Sequence, residues 1–423
     1  MSDNILIIVV YISIFFITLL LTKNKYNTIF KINFLYTALW CFCGITSIYN
    51  SLNILKPSIK IHIMIYISII VFNLIYLFFS KKDYQITINI CKNVNINKFL
   101  YFLNLIAIIL IIPHVIQSIK LIMAHGLNLS LIRNEIYVGI SNSNSELIQI
   151  LTRVIPSCIF SVISIIVAVE LVNGNKKNLW LAITNIFLGT LIFGGRNFIL
   201  NFIFYYVAAW MILKKEEKIK IKKRYIVLTI LILWFITYLR NNEVFGFLNT
   251  IILYISGSLS FLEYILRNPS AYGLSDGLLY GYMTFAPITE PIVLALKILF
   301  GSKIKIPSYY FNAYAQKFVN ISETSVRLYN NNTTMFYNFL RDFGTYGFFI
   351  SIIALVGLIV LCEKKLHKKK DIFYLYALIY VFSVVFASSI SYRLSGFSST
   401  IIFILLYLAS RNIKKGETLS EGK

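Results

Sequence analysis

Arginine and the carboxylates are the residues in this chain best suited to a charged or hydroxylated substrate. Ten arginines stand against thirty lysines. Eight of the ten, Arg133, Arg153, Arg196, Arg240, Arg267, Arg327, Arg341 and Arg393, fall on the side of a membrane that lysine avoids; only Arg224 and Arg411 fall on the lysine-rich side. The guanidinium is a planar fork that grips phosphate or carboxylate oxygens in pairs, whereas the lysine ammonium is a hydrated point charge. A chain that meets its other charge needs with lysine has thus placed arginine where anion geometry matters. The same side carries Glu135, Glu146, Glu243, Glu263, Asp276, Glu290, Glu323 and Asp342. Any of these could take a proton from a substrate hydroxyl; Asp342, directly after Arg341, also reads as a charge partner or a helix-start residue. No Asp-x-Asp pair occurs among them, and His62, His114, His125 and His367 are scattered. Metal ligation and a bound cofactor are therefore not expected.

These residues must be positioned by apolar helices. Hydrophobic residues make up 58% of the chain, charged residues 13%, and mean hydropathy is +0.75. A soluble domain carries roughly 25% charged residues. The apolar residues gather in stretches near the bilayer-spanning length of about 20 residues. The pattern predicts an all-α, polytopic integral membrane bundle of about 11 transmembrane helices, within a range of 10–13, at 4–22, 31–50, 60–79, 99–118, 147–171, 179–194, 197–213, 225–239, 344–362, 372–390 and 399–410. Lys-rich loops, above all 214–224, face the cytoplasm by the positive-inside rule, which accounts for the net charge of +23 without nucleic acid. The N-terminus is expected outside, with the first helix retained rather than cleaved, and the C-terminus inside. The five cysteines imply no disulfide framework, and Cys41 and Cys43 lie on different faces of one helix.

Three regions follow: N-terminal transmembrane helices (1–239), a large external loop (240–343), and C-terminal transmembrane helices with a cytoplasmic tail (344–423). The loop holds two apolar segments, 247–266 and 277–300, long enough to span. Glu263, Pro287, Glu290 and Pro291 interrupt them, so amphipathic or re-entrant helices over the external face are expected. Arg196 lies in a tight turn after Gly194 and Gly195, Arg240 ends one span, Arg341 and Asp342 open another, and Arg393 occupies the last external turn. Arg153 lies deeper, beside a kink expected at Pro156. Tyr272, Tyr280, Tyr282, Tyr309, Tyr310, Tyr314, Tyr329 and Tyr337, with Asn330, Asn331 and Asn332, make the loop rich in groups that stack on sugar rings and bond sugar hydroxyls.

The turn Gly194–Asn197, its following helix and Lys-rich loop, and the run NTTMFYNFLRDFGTYG at 332–347 together resemble the bacterial oligosaccharide repeat-unit polymerases of O-antigen and capsule assembly. The motifs cover roughly 180–360, the architecture the whole chain. The resemblance implies an inner-membrane glycosyltransferase moving a growing glycan from undecaprenyl pyrophosphate to a second lipid-linked repeat unit, beside a flippase and a chain-length regulator. It also implies functional external arginines: Arg196 and Arg341 first, then Arg133, Arg240 and Arg327. The physical requirements agree, since negative charge builds on the leaving pyrophosphate and arginine can stabilise it. The catalytic candidates are Arg196, Arg341, Asp342 and Glu243; the substrate-binding candidates are Arg133, Arg153, Arg240, Arg327, Arg393, Glu290 and Tyr337. Two rivals remain. An O-antigen ligase is expected to carry a functional histidine in its large external loop, and 240–343 has none. A lipid-linked glycan flippase should line its spans with ionisable residues, where only Arg153 and Glu170 are found.

Overall fold

The computed structural model describes residues 2–49, 53–80, 94–126, 150–193, 197–213, 234, 246–301, 303–310, 319–322, 328–329 and 333–420. They are overwhelmingly helical: α1 (Ser2–Tyr26), α2 (Ile32–Tyr49), α3 (Ile59–Phe79), α4 (Val94–His125), a π turn (Ile150–Val154) leading into α5 (Ile155–Val172), α6 (Leu179–Phe193), α7 (Asn197–Leu213), α8 (Gly246–Arg267), α9 (Ala286–Phe300), α10 (Thr334–Lys369), α11 (Ile372–Phe386) and α12 (Phe397–Ser420). Two short strands, β1 (Val319–Asn320) and β2 (Leu328–Tyr329), pair antiparallel. Among the described residues, six helices are long and apolar enough to cross a membrane: α1 to α4, the π turn with α5, and α10; four shorter apolar ones are α6, α7, α11 and α12. Ten of the expected spans therefore appear as apolar helices; the expected span 225–239 lies outside the described residues, Trp234 aside. The chain is membrane-embedded and helical, since such helices satisfy their own backbone in hydrocarbon.

The two interrupted segments form helices of different extent. α8 has the length to span, yet it buries Ser256, Ser258, Ser260 and Glu263 and is not among the helices apolar enough to cross. The segment 277–300 is helical only from Ala286, so its apolar length overstated its helical length. At Pro156, where a kink is expected, the helix changes from a π turn to α geometry, and π turns and prolines are both places where helices bend. The proline falls in the first turn of α5, directly after the π turn, where the ring removes one backbone donor from the helix.

The chain divides into two compact units. One comprises Met1–Tyr84, Asn249–Lys369 and Val381–Thr400; the other Gln85–Leu248, Lys370–Tyr380 and Ile401–Lys423. In the first unit, α2 packs on α1 and α3, and α3 packs on α10. Polar groups bind the helices where apolar contact has no advantage over lipid. Asn33 Nδ2 donates to Thr22 Oγ1 (2.8 Å) and to Asn73 Oδ1 (2.9 Å), and Asn73 Nδ2 donates to Thr37 Oγ1 (2.8 Å). Tyr36 stacks on Phe72 at 4.1 Å, and Trp40 meets Phe336 of α10 at 4.8 Å. A separate apolar core joins Ile54, Phe261, Ile265, Tyr272, Met283, Ile321, Tyr329 and Tyr337. In the second unit α5 is the hub, touching α4, α6 and α7 and burying residues on all its faces. Near its C-terminal end, Glu170 takes both carboxylate bonds from Asn178 Nδ2 at 3.0 Å.

Candidate functional site

α10 is two helices joined by a break. Gly344 has φ 68° and ψ −173°, a combination open almost only to glycine, and a Cβ there would meet Leu278 at 3.3 Å. The half-helix Thr334–Phe343 thus ends beside Arg341 and Asp342, with its last carbonyls lacking helical partners. A strap, Gly277–Phe285, supplies them. Leu279 N donates to Arg341 O (3.0 Å) and Tyr280 N to Asp342 O (2.8 Å). The strap turns on left-handed residues, among them Gly281 at φ 90°, where a Cβ would strike Phe285 at 2.9 Å.

Asp342 fixes the strap from the side. Its Oδ1 accepts Met283 N (2.9 Å), and its Oδ2 accepts Thr284 N and Thr284 Oγ1, both at 2.5 Å. Thr284 has one hydroxyl proton and gives it to Asp342, so Ser351, 2.7 Å away and beyond the break, must donate to Thr284. Tyr392 donates its hydroxyl to Thr284 O at 3.1 Å. Asp342 is fully buried, and both oxygens are committed. In this structure it clamps the strap. Tyr337, expected among the substrate-binding residues, has its ring in the apolar core, fully buried, and its hydroxyl donates to Tyr272 O at 3.1 Å.

Arg341 lies in the last turn of the half-helix before the break. It is 1% exposed; Nη1 lies 3.5 Å from Gly277 O, and Cζ lies 5.7 Å from the centre of the Tyr310 ring. Tyr310 meets Tyr282 at 6.3 Å and Tyr309 at 5.8 Å; Lys305 Nζ sits 4.5 Å over Tyr309, and Tyr282 donates its hydroxyl to Lys305 O at 2.7 Å. The aromatic shell continues to a second charged group. Glu290, 3% exposed, accepts Ser308 Oγ at 2.6 Å. Burial holds its carboxyl above the ordinary range; the Ser308 hydroxyl and the backbone N–H groups of Phe397 and Ser308 offset part of that rise. A buried cation and a buried carboxylate are thereby joined through tyrosines, a set that suits a substrate with an anionic part and a hydroxylated part.

The remaining candidates divide. Arg393 is half-buried near Tyr392, its carbonyl accepting Ser399 Oγ at 2.9 Å. Arg153, in the π turn, belongs to the other unit. Arg133, Arg196, Arg240, Glu243 and Arg327 lie outside the described residues. Arg267, expected among the anion-binding arginines, instead pairs with Glu263 at 2.8 Å. Thr284, Ser308 and Ser351 are short hydroxyl residues and, like Tyr392, carry no spacing signal in the sequence; Gly277 and Gly281 are the readable mark of the strap. Asn338, one turn before Arg341, is fully buried, and neither side-chain polar atom has a hydrogen-bond partner among the described residues. No protein-family model, curated protein or solved structure matches the chain.

Proposed function

We propose that this chain is a membrane glycosyltransferase that polymerises lipid-linked oligosaccharide repeat units, passing the growing glycan from undecaprenyl pyrophosphate to an acceptor repeat unit on the outer face of the bacterial cytoplasmic membrane. The observation carrying this reading is Arg341: a buried guanidinium at a helix break, faced by tyrosines, in a chain of apolar helices. An acceptor hydroxyl oxygen attacks the anomeric carbon, the bond to the pyrophosphate oxygen breaks, and its electron pair leaves with the pyrophosphate. Arginine charge placed there in a dry setting stabilises what develops. Tyr282, Tyr309 and Tyr310 offer ring faces and hydroxyls to the sugars.

Deleting the gene in its native strain tests the reading. Surface lipid bearing a single repeat unit is the expected product. Complete loss of surface glycan sinks the polymerase reading and favours a ligase or a flippase. Arg341→Lys and Arg196→Lys keep charge and lose the fork. Each is expected to shorten the polymer ladder sharply on a gel; full-length polymer from both would remove the anion-geometry argument.

A further inference from the structure

Asp342 is occupied as a clamp, so the acceptor proton needs another destination. Resting on the polymerase reading, we infer that Ser308 and Glu290 form a proton relay for the acceptor hydroxyl. Four observations converge on this pair. Glu290 is a buried carboxylate whose Oε1 accepts Ser308 Oγ at 2.6 Å. Its Oε2 is buried with no side-chain hydrogen bond among the described residues, and backbone N–H groups of Phe397 and Ser308 act on the carboxyl. Ser308 is half-buried, so it connects the buried acid to a more open surface. The pair also borders the shell that reaches Arg341: Ser308 is followed in the chain by Tyr309 and Tyr310, Tyr310 meets Tyr282, and Arg341 lies over Tyr310.

The step balances without a further reagent. As the acceptor oxygen bonds to the anomeric carbon, its proton passes to Ser308 Oγ, and the Ser308 proton passes to Glu290. Ser308 ends as it began, Glu290 ends neutral, and the bond electrons leave with the pyrophosphate. Glu290 must be ionised at the start, so activity falls as pH drops. Burial lifts its carboxyl above the ordinary range, which puts that fall closer to neutrality and suits a base to its working pH.

The test uses the full-length protein in lipid nanodiscs with the undecaprenyl-pyrophosphate-linked repeat unit extracted from the deletion strain. For wild type, kcat rises with pH and levels off above the ordinary carboxylate range. Glu290→Gln is expected to lower kcat by about 10²–10⁴-fold and to abolish the rise, with KM held. Ser308→Ala lowers kcat in the same direction, and Glu290→Asp recovers part of the rate together with the acid limb. Wild-type kcat and pH profile in both Glu290→Gln and Ser308→Ala overturn the relay alone. So does a loss confined to KM with a matching fall in melting temperature, since that is what a packing role produces. A wild-type protein that leaves the repeat-unit lipid unpolymerised overturns the polymerase reading, and the relay falls with it.

Discussion

Arg341, Asp342 and Glu290 show how far burial changes what a charged side chain can do. Arg341 and Asp342 are adjacent in sequence and part in their contacts: Asp342 is consumed by Met283 and Thr284, while Arg341 reaches the tyrosine shell. Arg341→Lys is expected to cost roughly 10²-fold in kcat, the scale of losing one well-aimed donor to a developing charge, measured by polymer formed per unit time. Glu290 makes a stability prediction with a definite sign. Its carboxyl is raised on folding, so its proton is held more tightly in the folded chain. That contribution is full below the ordinary carboxylate value and is lost as pH rises through the raised one. Melting temperature in detergent should therefore fall over that window for wild type and hold steadier for Glu290→Gln. Glu263 runs the other way. Burial would raise it, but Arg267 and Ser58 outweigh burial and hold it low, so its contribution is present above the ordinary value and lost on acidification. At this scale the sequence was readable for Arg341, a guanidinium in a tyrosine-rich setting. It was silent on Ser308 and Thr284, whose importance rests on contacts 18 and 58 residues away along the chain.

Hydropathy located the helices well, because a bilayer demands long apolar runs and little else in the sequence imitates them. It failed where apolar residues serve something other than a span. The expected start of the span at 344 falls on the glycine break itself. The half-helix before it stayed hidden because Asn338, Arg341 and Asp342 lower its apolar average, and all three are buried, Arg341 and Asp342 against the strap. Gly344→Ala should cost about 1–3 kcal/mol through backbone strain, read as a lowered melting temperature with little change in helix content. Asp342→Asn keeps the shape and removes the charge from three hydrogen bonds. Each bond to a charged group is worth roughly 1.5–3 kcal/mol, so limited proteolysis should open the strap between Leu278 and Phe285 first. Protection equal to wild type would show that the strap is held elsewhere. Glu263 does comparable work for α3: it accepts the backbone N–H of Ser58 at 2.9 Å and sets a negative charge at that helix's N-terminus, where the helix dipole favours it.

For the whole molecule, the arrangement across the membrane is the claim most open to a direct check. Cys41, Cys43, Cys158 and Cys362 are buried, which leaves thiol reagents little native background from these four. In intact spheroplasts, a membrane-impermeant maleimide should label Tyr280→Cys, at a side chain 79% exposed, and leave Lys176→Cys unlabelled until the cells are opened. Labelling at both sites before lysis would overturn the proposed orientation. Lysine density carried that orientation in the sequence, but it could not say which loop residues fold together, because pairing across the loop depends on shape. The strap has a further consequence, for how the protein is made. Residues 277–285 leave the ribosome some fifty residues before the half-helix whose carbonyls and Asp342 they satisfy. The receiving half of the contact is therefore waiting when Arg341 and Asp342 emerge, and a chain with the strap deleted should be cleared by membrane quality-control proteases before its activity can be asked about.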